Sequence, residues 1–315
     1  MSDKIKLAAL FLLSLGLIAL FLFDHLGGNW DYVLPRRTAK ILAMVLTGSA
    51  IAFSTVIFQT ITNNRILTPS IIGLDSLYLF IQTFVVYVFG SATLALMNSH
   101  VHFLISVGLM VLFSVLLYQL LFRREGRNIY FLLLAGIVFG TFFRSMASFM
   151  QMLIDPNEFM IVQDRMFASF NNINTDLLFI SVIVMAGISV YFSRYAKYLD
   201  VLALGREHAV NLGVAYETVV LRLLMMVAAL VSISTALVGP ITFLGLLVAN
   251  VTYQFIRTYR HQYVIPGSML ISIVALVGGQ WLIERIFAFT TTISVMINFI
   301  GGITFLYLLL RENKA

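Results

Sequence analysis

Residues 202–214 read LALGREHAVNLGV, a stretch of mixed polarity inside a chain that is otherwise mostly apolar. Its neighbours decide the fold. On one side stands the apolar run 177–192 and on the other 219–238. Further outward, runs long enough to cross a hydrocarbon core occur near 5–23, 39–61, 71–89, 101–121, 129–150, 241–255, 264–287 and 293–310. That makes ten, at ~20 residues for each ~30 Å span. Backbone amides facing lipid are satisfied only in helices or in a closed barrel, whose strands alternate with a period of two. No run alternates in that way. The reading is an all-α integral membrane protein, one transmembrane domain over 1–315 with about ten helices, in which 194–218 is the polar loop between the sixth and seventh spans.

Composition agrees. Of the 315 residues, 60% are hydrophobic and 11% charged, against about 25% charged in an average soluble domain, and the mean hydropathy is +0.97. Ten spans leave no room for a soluble catalytic domain. The net charge of +6 reads as membrane topology rather than as a nucleic-acid footprint, because Lys and Arg accumulate on the cytoplasmic side. With both termini placed inside, only Arg36, Arg37, Lys40, Arg144, Arg165 and Arg285 of the 20 basic residues fall on outer segments. The expected location is therefore a bacterial cytoplasmic membrane, multi-pass, with 194–218 as the longest cytoplasmic loop and about 151–176 as the longest outer segment. The N-terminal run 5–23 exceeds a signal peptide's apolar region and no A-x-A-like site follows, so it reads as a retained first span. The absence of Cys excludes disulfides and Cys-based metal or redox sites.

Two places invite broken helices. Gly239-Pro240 separates the seventh run from a short eighth, and Asn171, Asn172 and Asn174 supply turn chemistry before the sixth. Phosphate-loop, zinc-protease and serine-hydrolase motifs are absent, and the five His residues are scattered. Uphill transport must then draw on an ion gradient or on another subunit. For an ion-coupled carrier the candidates are Asp75 and Arg144. Asp75 reads either as a polar residue near a helix start at the inner surface or as a translocation residue. Arg144 either snorkels outward or lies on a polar pathway. Glu284-Arg285 reads as a pair at an outer helix end, facing solvent or a partner.

LALGREHAVNLGV resembles the L-x-L-G-x-x-x-A-x-x-L-G-[VL] segment of FecCD-type permeases, the transmembrane subunits of iron-siderophore and vitamin B12 ABC importers. Other stretches fall in the same order. LPR at 34–36 resembles the end of R-L-P-R, and FQTITNNRILTPSIIG at 58–73 is similar to Q-x-x-x-x-N-P-L-A-x-P-x-x-L-G. ALVGPITFLGLLVAN at 236–250 resembles A-x-x-G-x-I-G-F-[IV]-G-L-[IV]-[VI]-P-H, and VIPGSML at 264–270 resembles L-L-P-x-S-x-L. Departures stand at Val33, Asn64-Arg65, Thr242, Ala249-Asn250 and Arg260-His261-Gln262.

The resemblance implies a ferric-siderophore importer, with cobalamin or haem as other cargoes of the same class. A second permease chain, identical or paralogous, pairs with this one. A cytoplasmic ATPase dimer holds ATP and Mg, so this chain carries no cofactor and no metal. A substrate-binding lipoprotein or periplasmic protein docks outside. Leu202, Leu204, Gly205, Arg206, Glu207, Ala209, Leu212 and Gly213 would then form the ATPase-coupling element, with Leu202, Leu204, Leu212 and Val214 giving apolar contact and the two glycines bracketing a short helix. Without an ATPase the same segment reads as an amphipathic helix lying on the membrane surface. Arg36, Arg37, Glu284 and Arg285 would meet the binding protein, and Gln59, Arg144, Asn171 and Asn172 would line the pathway.

Overall fold

Long apolar runs leave the backbone no outlet but its own i→i−4 bonds. In the computed structural model, which describes residues 3–24, 30–90, 98–122, 129–171, 173–287 and 291–312, every regular element is helical. The α-helices are α1 (Asp3–Phe23), α2 (Trp30–Thr62), α3 (Leu74–Phe89), α4 (Ser99–Phe122), α5 (Ile129–Leu153), α6 (Pro156–Arg165), α7 (Thr175–Phe192), α8 (Ala196–Leu202), α9 (Arg206–Asn211), α10 (Tyr216–Val238), α11 (Leu244–Phe255), α12 (His261–Arg285) and α13 (Ile293–Glu312), with a 3-10 turn at Pro69–Ile72. Asn172, Arg123, Arg124, Arg127 and Lys314 lie outside the described residues.

Helices α1, α2, α4, α5, α7, α10 and α12 are long and apolar enough to cross a membrane, while α3, α11 and the apolar part of α13 are shorter. The most apolar windows of α2 and α10 are 72% buried and that of α1 is 17% buried, which places α2 and α10 at the centre and α1 at the periphery. Helix α2 packs on α12 and α10, α10 on α4, and α1 on α12, while α3 packs on α5. Among the described residues two large apolar cores result, one around α2, α4 and α10 and the other around α2, α11 and α12, with a small third cluster between α3 and α6. The end of the bundle that carries 194–218 is called proximal below, the opposite end distal.

The segment between α2 and α3 does not stay at the proximal surface. Gly73 has φ +89°, and a Cβ there would lie 2.8 Å from the Gly140 Cα; a Cβ on Gly136 would lie 2.7 Å from the Ile72 Cα. Two glycines four residues apart on α5 let the backbone of the 3-10 turn lie directly on that helix. Gly140 is eleven residues beyond Ile129, roughly 16 Å along α5 at 1.5 Å per residue. Asp75 therefore sits well inside the bundle, 9% exposed, and not near the inner surface. Counting its depth from the start of the apolar run fails because that run begins at a turn already held at depth.

The two expected breaks have a physical basis. Gly239, at φ +99°, ends α10, and the freed Val238 carbonyl accepts from the Ser169 amide at 2.8 Å. Asn174 caps α7, its Oδ1 accepting from the amides of Asp176 at 3.0 Å and Leu177 at 3.2 Å. Helix α6, within the long outer segment, carries its own start signal: Asp155 accepts from the Asn157 amide at 2.9 Å and Pro156 opens the helix.

Candidate functional site

At the proximal end the stretch 202–214 folds into the end of α8, a glycine corner and α9. Gly205 (φ +95°) and Gly213 (φ +81°) stand on either side of α9 in conformations that favour glycine. Leu199, Leu202 and Ala209 are fully or almost fully buried, so they seat the element on the bundle. This corrects the reading of Leu202 as an apolar contact residue, and Ala209 of the coupling element is turned inward with it: helices of six and seven residues have one inward turn, and these side chains occupy it. Left outside are Leu204 at 57% and Leu212 at 64% exposure, together with Val210. Arg206, Glu207 and His208 are exposed around them. Arg206 reaches Glu217 at 3.3 Å, an exposed pair worth at most about 1 kcal/mol.

What holds this element in place was not read from the sequence. Asp200 of α8 accepts from the His261 amide at 3.0 Å and from its Nδ1 at 2.6 Å, while His261 Nε2 lies 2.8 Å from the Thr60 hydroxyl. One imidazole thus ties α8 to the first residue of α12 and the last turn of α2. Burial pushes the Asp200 carboxyl up, but the hydrogen bonds from the His261 backbone and ring, with the nearby His261 and Arg260 charges, outweigh it and hold the group below its usual range. Tyr195 adds a second tie, accepting from Arg222 at 2.6 Å. A groove of about 540 Å³ runs beside the anchor, lined by Phe192, Lys197, Asp200, Arg260, His261 and Pro266.

Gln59 is buried, and its Nε2 donates to the Arg65 carbonyl at 2.7 Å. Asn250 donates to the same carbonyl at 3.1 Å, and the Arg65 guanidinium covers the Tyr253 ring at 4.8 Å. Gln59 therefore pins the loop between α2 and the 3-10 turn rather than lining an open passage. Asn250, which stands where the resembling motif has His, shares that task.

At the distal end most of the expected docking residues are used within the chain. Arg37 donates to the carbonyls of Phe21 and Leu22, each at 3.1 Å, and of Asp24 at 2.6 Å, closing the C-terminus of α1. Arg285 Nε pairs with the Asp24 carboxylate at 2.8 Å, and Trp281 Nε1 donates to it at 3.0 Å. Glu284 meets Lys40 at 3.0 Å with side chains only 15% and 18% exposed, and Gln280 donates to Glu284 at 3.0 Å. Lys40 also donates to Asn171 Oδ1 at 3.0 Å. The expectation that Glu284-Arg285 faces solvent or a partner is corrected for Glu284, which turns onto Lys40 of α2, while Arg285 stays exposed as it pairs with Asp24 at the end of α1. Arg36 and Arg285 are the exposed members of the four, and Arg36 lies over the Tyr32 ring at 4.1 Å. Arg144 is exposed on α5, within electrostatic reach of Asp75.

Comparison with known proteins places this arrangement. The chain is 64% identical over 315 residues, all of both chains, to the petrobactin import system permease protein YclO of Bacillus subtilis (strain 168). It is 40% identical over 281 residues, 89% of this chain and 79% of the relative, to the petrobactin import system permease protein FatC of Bacillus anthracis. The fold superposes on a metal-chelate type ABC transporter solved in an inward-facing conformation, with a TM-score of 0.83 at 21% identity, covering 98% of this chain and 99% of the other. Residues 6–311 match the model of the FecCD transport family, to which this chain belongs.

Proposed function

We propose that this chain is the permease subunit of a bacterial ABC importer for ferric siderophores of the petrobactin kind. It works with a second permease chain, a cytoplasmic ATPase dimer and an extracellular binding protein, and both its termini face the cytoplasm. The cargo assignment is supported by the names of the relatives at 64% and 40% identity. The observation that carries the mechanism is the pair Leu204 and Leu212, which with Val210 are the exposed apolar side chains of the corner that the Asp200–His261–Thr60 tie fixes to two long helices. Such a corner can pass a push from an ATPase cleft to α2 and α12 without yielding. Arg36 is the residue best placed to meet a binding protein.

The test is Leu204→Asp or Leu212→Asp in the complete importer. Burying an unpaired carboxylate at an interface costs several kcal/mol, so ATP-dependent uptake of ferric petrobactin should be lost and the ATPase should no longer co-purify, while the permease still inserts in the membrane. Uptake at the unaltered rate removes the coupling assignment. Uptake that never needs the ATPase favours an ion-coupled carrier, and competition by cobalamin or haem reassigns the cargo.

A further inference from the structure

Helices α7 and α12 both pack on α2 but leave a strip of it uncovered between them. The strip is the floor of an apolar groove of about 290 Å³, whose lining includes Leu46 and Phe53 of α2, Val182 and Met185 of α7, Leu230 of α10 and Met269 of α12. Val182 is 39% exposed at the rim and Phe53 7% at the bottom. Towards the proximal end this groove runs into the one beside the His261 anchor. Ser189 lines the first and Phe192 the second, one turn apart on α7, and Met269 and Ile265 are likewise one turn apart on α12. Their floors meet where Phe53 packs edge-on against Phe192, with ring centroids 4.6 Å apart. From Val182 to Phe192 is roughly 15 Å at 1.5 Å per residue, half of a ~30 Å hydrocarbon core. The apolar part is as deep as one leaflet.

The proximal part is lined differently. Lys197 of α8 and Arg260, which precedes α12, line it from opposite walls, and both are exposed. Lys197 lies over the Tyr198 ring at 5.0 Å and Arg260 beside the Tyr259 phenol; neither contact cancels a charge. Asp200 also lines this part, and its carboxylate is engaged by the His261 amide and ring. It is the only acid in segments 190–204 and 255–266, which hold four cations, Arg194, Lys197, Arg257 and Arg260. The sign at this mouth is therefore positive. Lipid tails are as apolar as the groove, so an acyl chain gains little by entering it from the bilayer. Selection falls to the headgroup, and Lys and Arg near the membrane surface favour an anionic one.

We propose that this continuous groove binds one anionic phospholipid from the leaflet at the proximal end, with its phosphate between Lys197 and Arg260 and an acyl chain over Phe53 between α7 and α12. A headgroup held from both walls joins α8 to α12 beside the Asp200–His261 contact, and so adds to the tie that steadies the coupling corner. The proposal rests on the transport reading above for the name of that leaflet, the cytoplasmic one, and for the complex in which the site is tested.

The complete importer is stripped of lipid in detergent, titrated with phosphatidylglycerol or phosphatidylcholine of the same acyl chains, and its bound lipids are counted by native mass spectrometry. One site on this chain should take phosphatidylglycerol roughly tenfold more tightly than phosphatidylcholine. Lys197→Gln with Arg260→Gln should abolish that preference, while Lys4→Gln, which removes an exposed cation outside the groove, should keep it. Ala186→Trp, which fills the apolar part, should weaken both lipids by a similar factor and leave their ratio unchanged. If Ala186→Trp fails to insert, the Gln pair must still remove the preference on its own. Inorganic phosphate at the same concentration should not displace the lipid; if it does, the site is one for a free anion and the proposal falls. Equal affinity for the two lipids, or a preference indifferent to the Gln pair, also overturns it. So does binding seen in the isolated permease but lost in the complete importer, because a partner subunit then covers the groove. Uptake by the unaltered importer that does not require ATP counts instead against the transport reading, and the lipid titration, which involves no transport, is judged separately.

Discussion

His261→Ala should loosen the coupling corner while leaving the bundle folded. The substitution removes two side-chain hydrogen bonds, to Asp200 at 2.6 Å and to Thr60 at 2.8 Å, and keeps the backbone bond from residue 261 to Asp200 at 3.0 Å. A hydrogen bond to a charged partner contributes about 1.5–3 kcal/mol when buried, but the Asp200 side chain is 48% exposed, and screening reduces that to about 1 kcal/mol. The Thr60 bond is buried and adds about 1 kcal/mol, with a further fraction for the hydroxyl left unmatched. The sum, about 2–3 kcal/mol, is a roughly 30- to 150-fold shift in the equilibrium for local opening of α8. Hydrogen exchange in the purified permease reads it directly: amides across 196–203 should lose protection by about that factor, while those in the middle of α2 and α10 keep theirs. Transport-coupled ATP hydrolysis should fall in parallel, because an ATPase movement would be absorbed by the loosened corner. Asp200→Asn and Thr60→Val should each give part of the effect, and the double variant with His261→Ala should add little to it. Unchanged exchange across 196–203, or strictly additive variants, would refute the idea that one imidazole ties the three helices.

Two further expectations concern the distal end. Glu284→Ala removes the carboxylate from Lys40, whose side chain is only 18% exposed and keeps its bond to Asn171, and should cost about 1–3 kcal/mol in a thermal unfolding assay in detergent, with Lys40→Met restoring part of the loss. Arg36→Glu should slow docking of the loaded binding protein, and the defect should shrink as salt rises, since rim charges act on association rate over a Debye length of ~8 Å at physiological ionic strength. Arg37→Glu should instead lower the melting temperature, because its guanidinium closes the end of α1; association rates at two salt concentrations separate the two roles.

The parts of this fold legible in the sequence are those that one segment fixes alone. An apolar run has no alternative to a helix, and Gly205, Gly213 and Gly239 mark breaks because each adopts a positive φ that other residues resist. Helix ends were less legible. Helix α2 begins at Trp30 and carries Pro35 within its first turns, and polar residues there hide its start from a reading based on apolar length. Depth and partnership were not legible, because both depend on a second segment. Asp75 lies at depth because Gly73 rests on Gly140, a contact between residues far apart in the chain. Glu284 turns inward because Lys40, 244 residues away, waits for it.

The coupling corner shows why a family motif can locate a site without assigning its residues. Leu202 and Leu204 stand two apart, yet one is 1% and the other 57% exposed. With so few residues the periodicity of α8 and α9 does not choose a face. The choice is made by the anchor. Once Asp200 is held by His261, and Leu199 and Leu202 fill the space beneath α8, the chain must leave at Gly205 with Leu204 turned outward, and Ala209 is the small residue that lets α9 fold back onto the same surface. A hydrogen-bonded contact made with α12 therefore decides which leucines remain for a partner, which is why loss of His261 and loss of Leu204 should converge on the same failure of coupling while differing in exchange: the first should unprotect α8, and the second should leave it as protected as before.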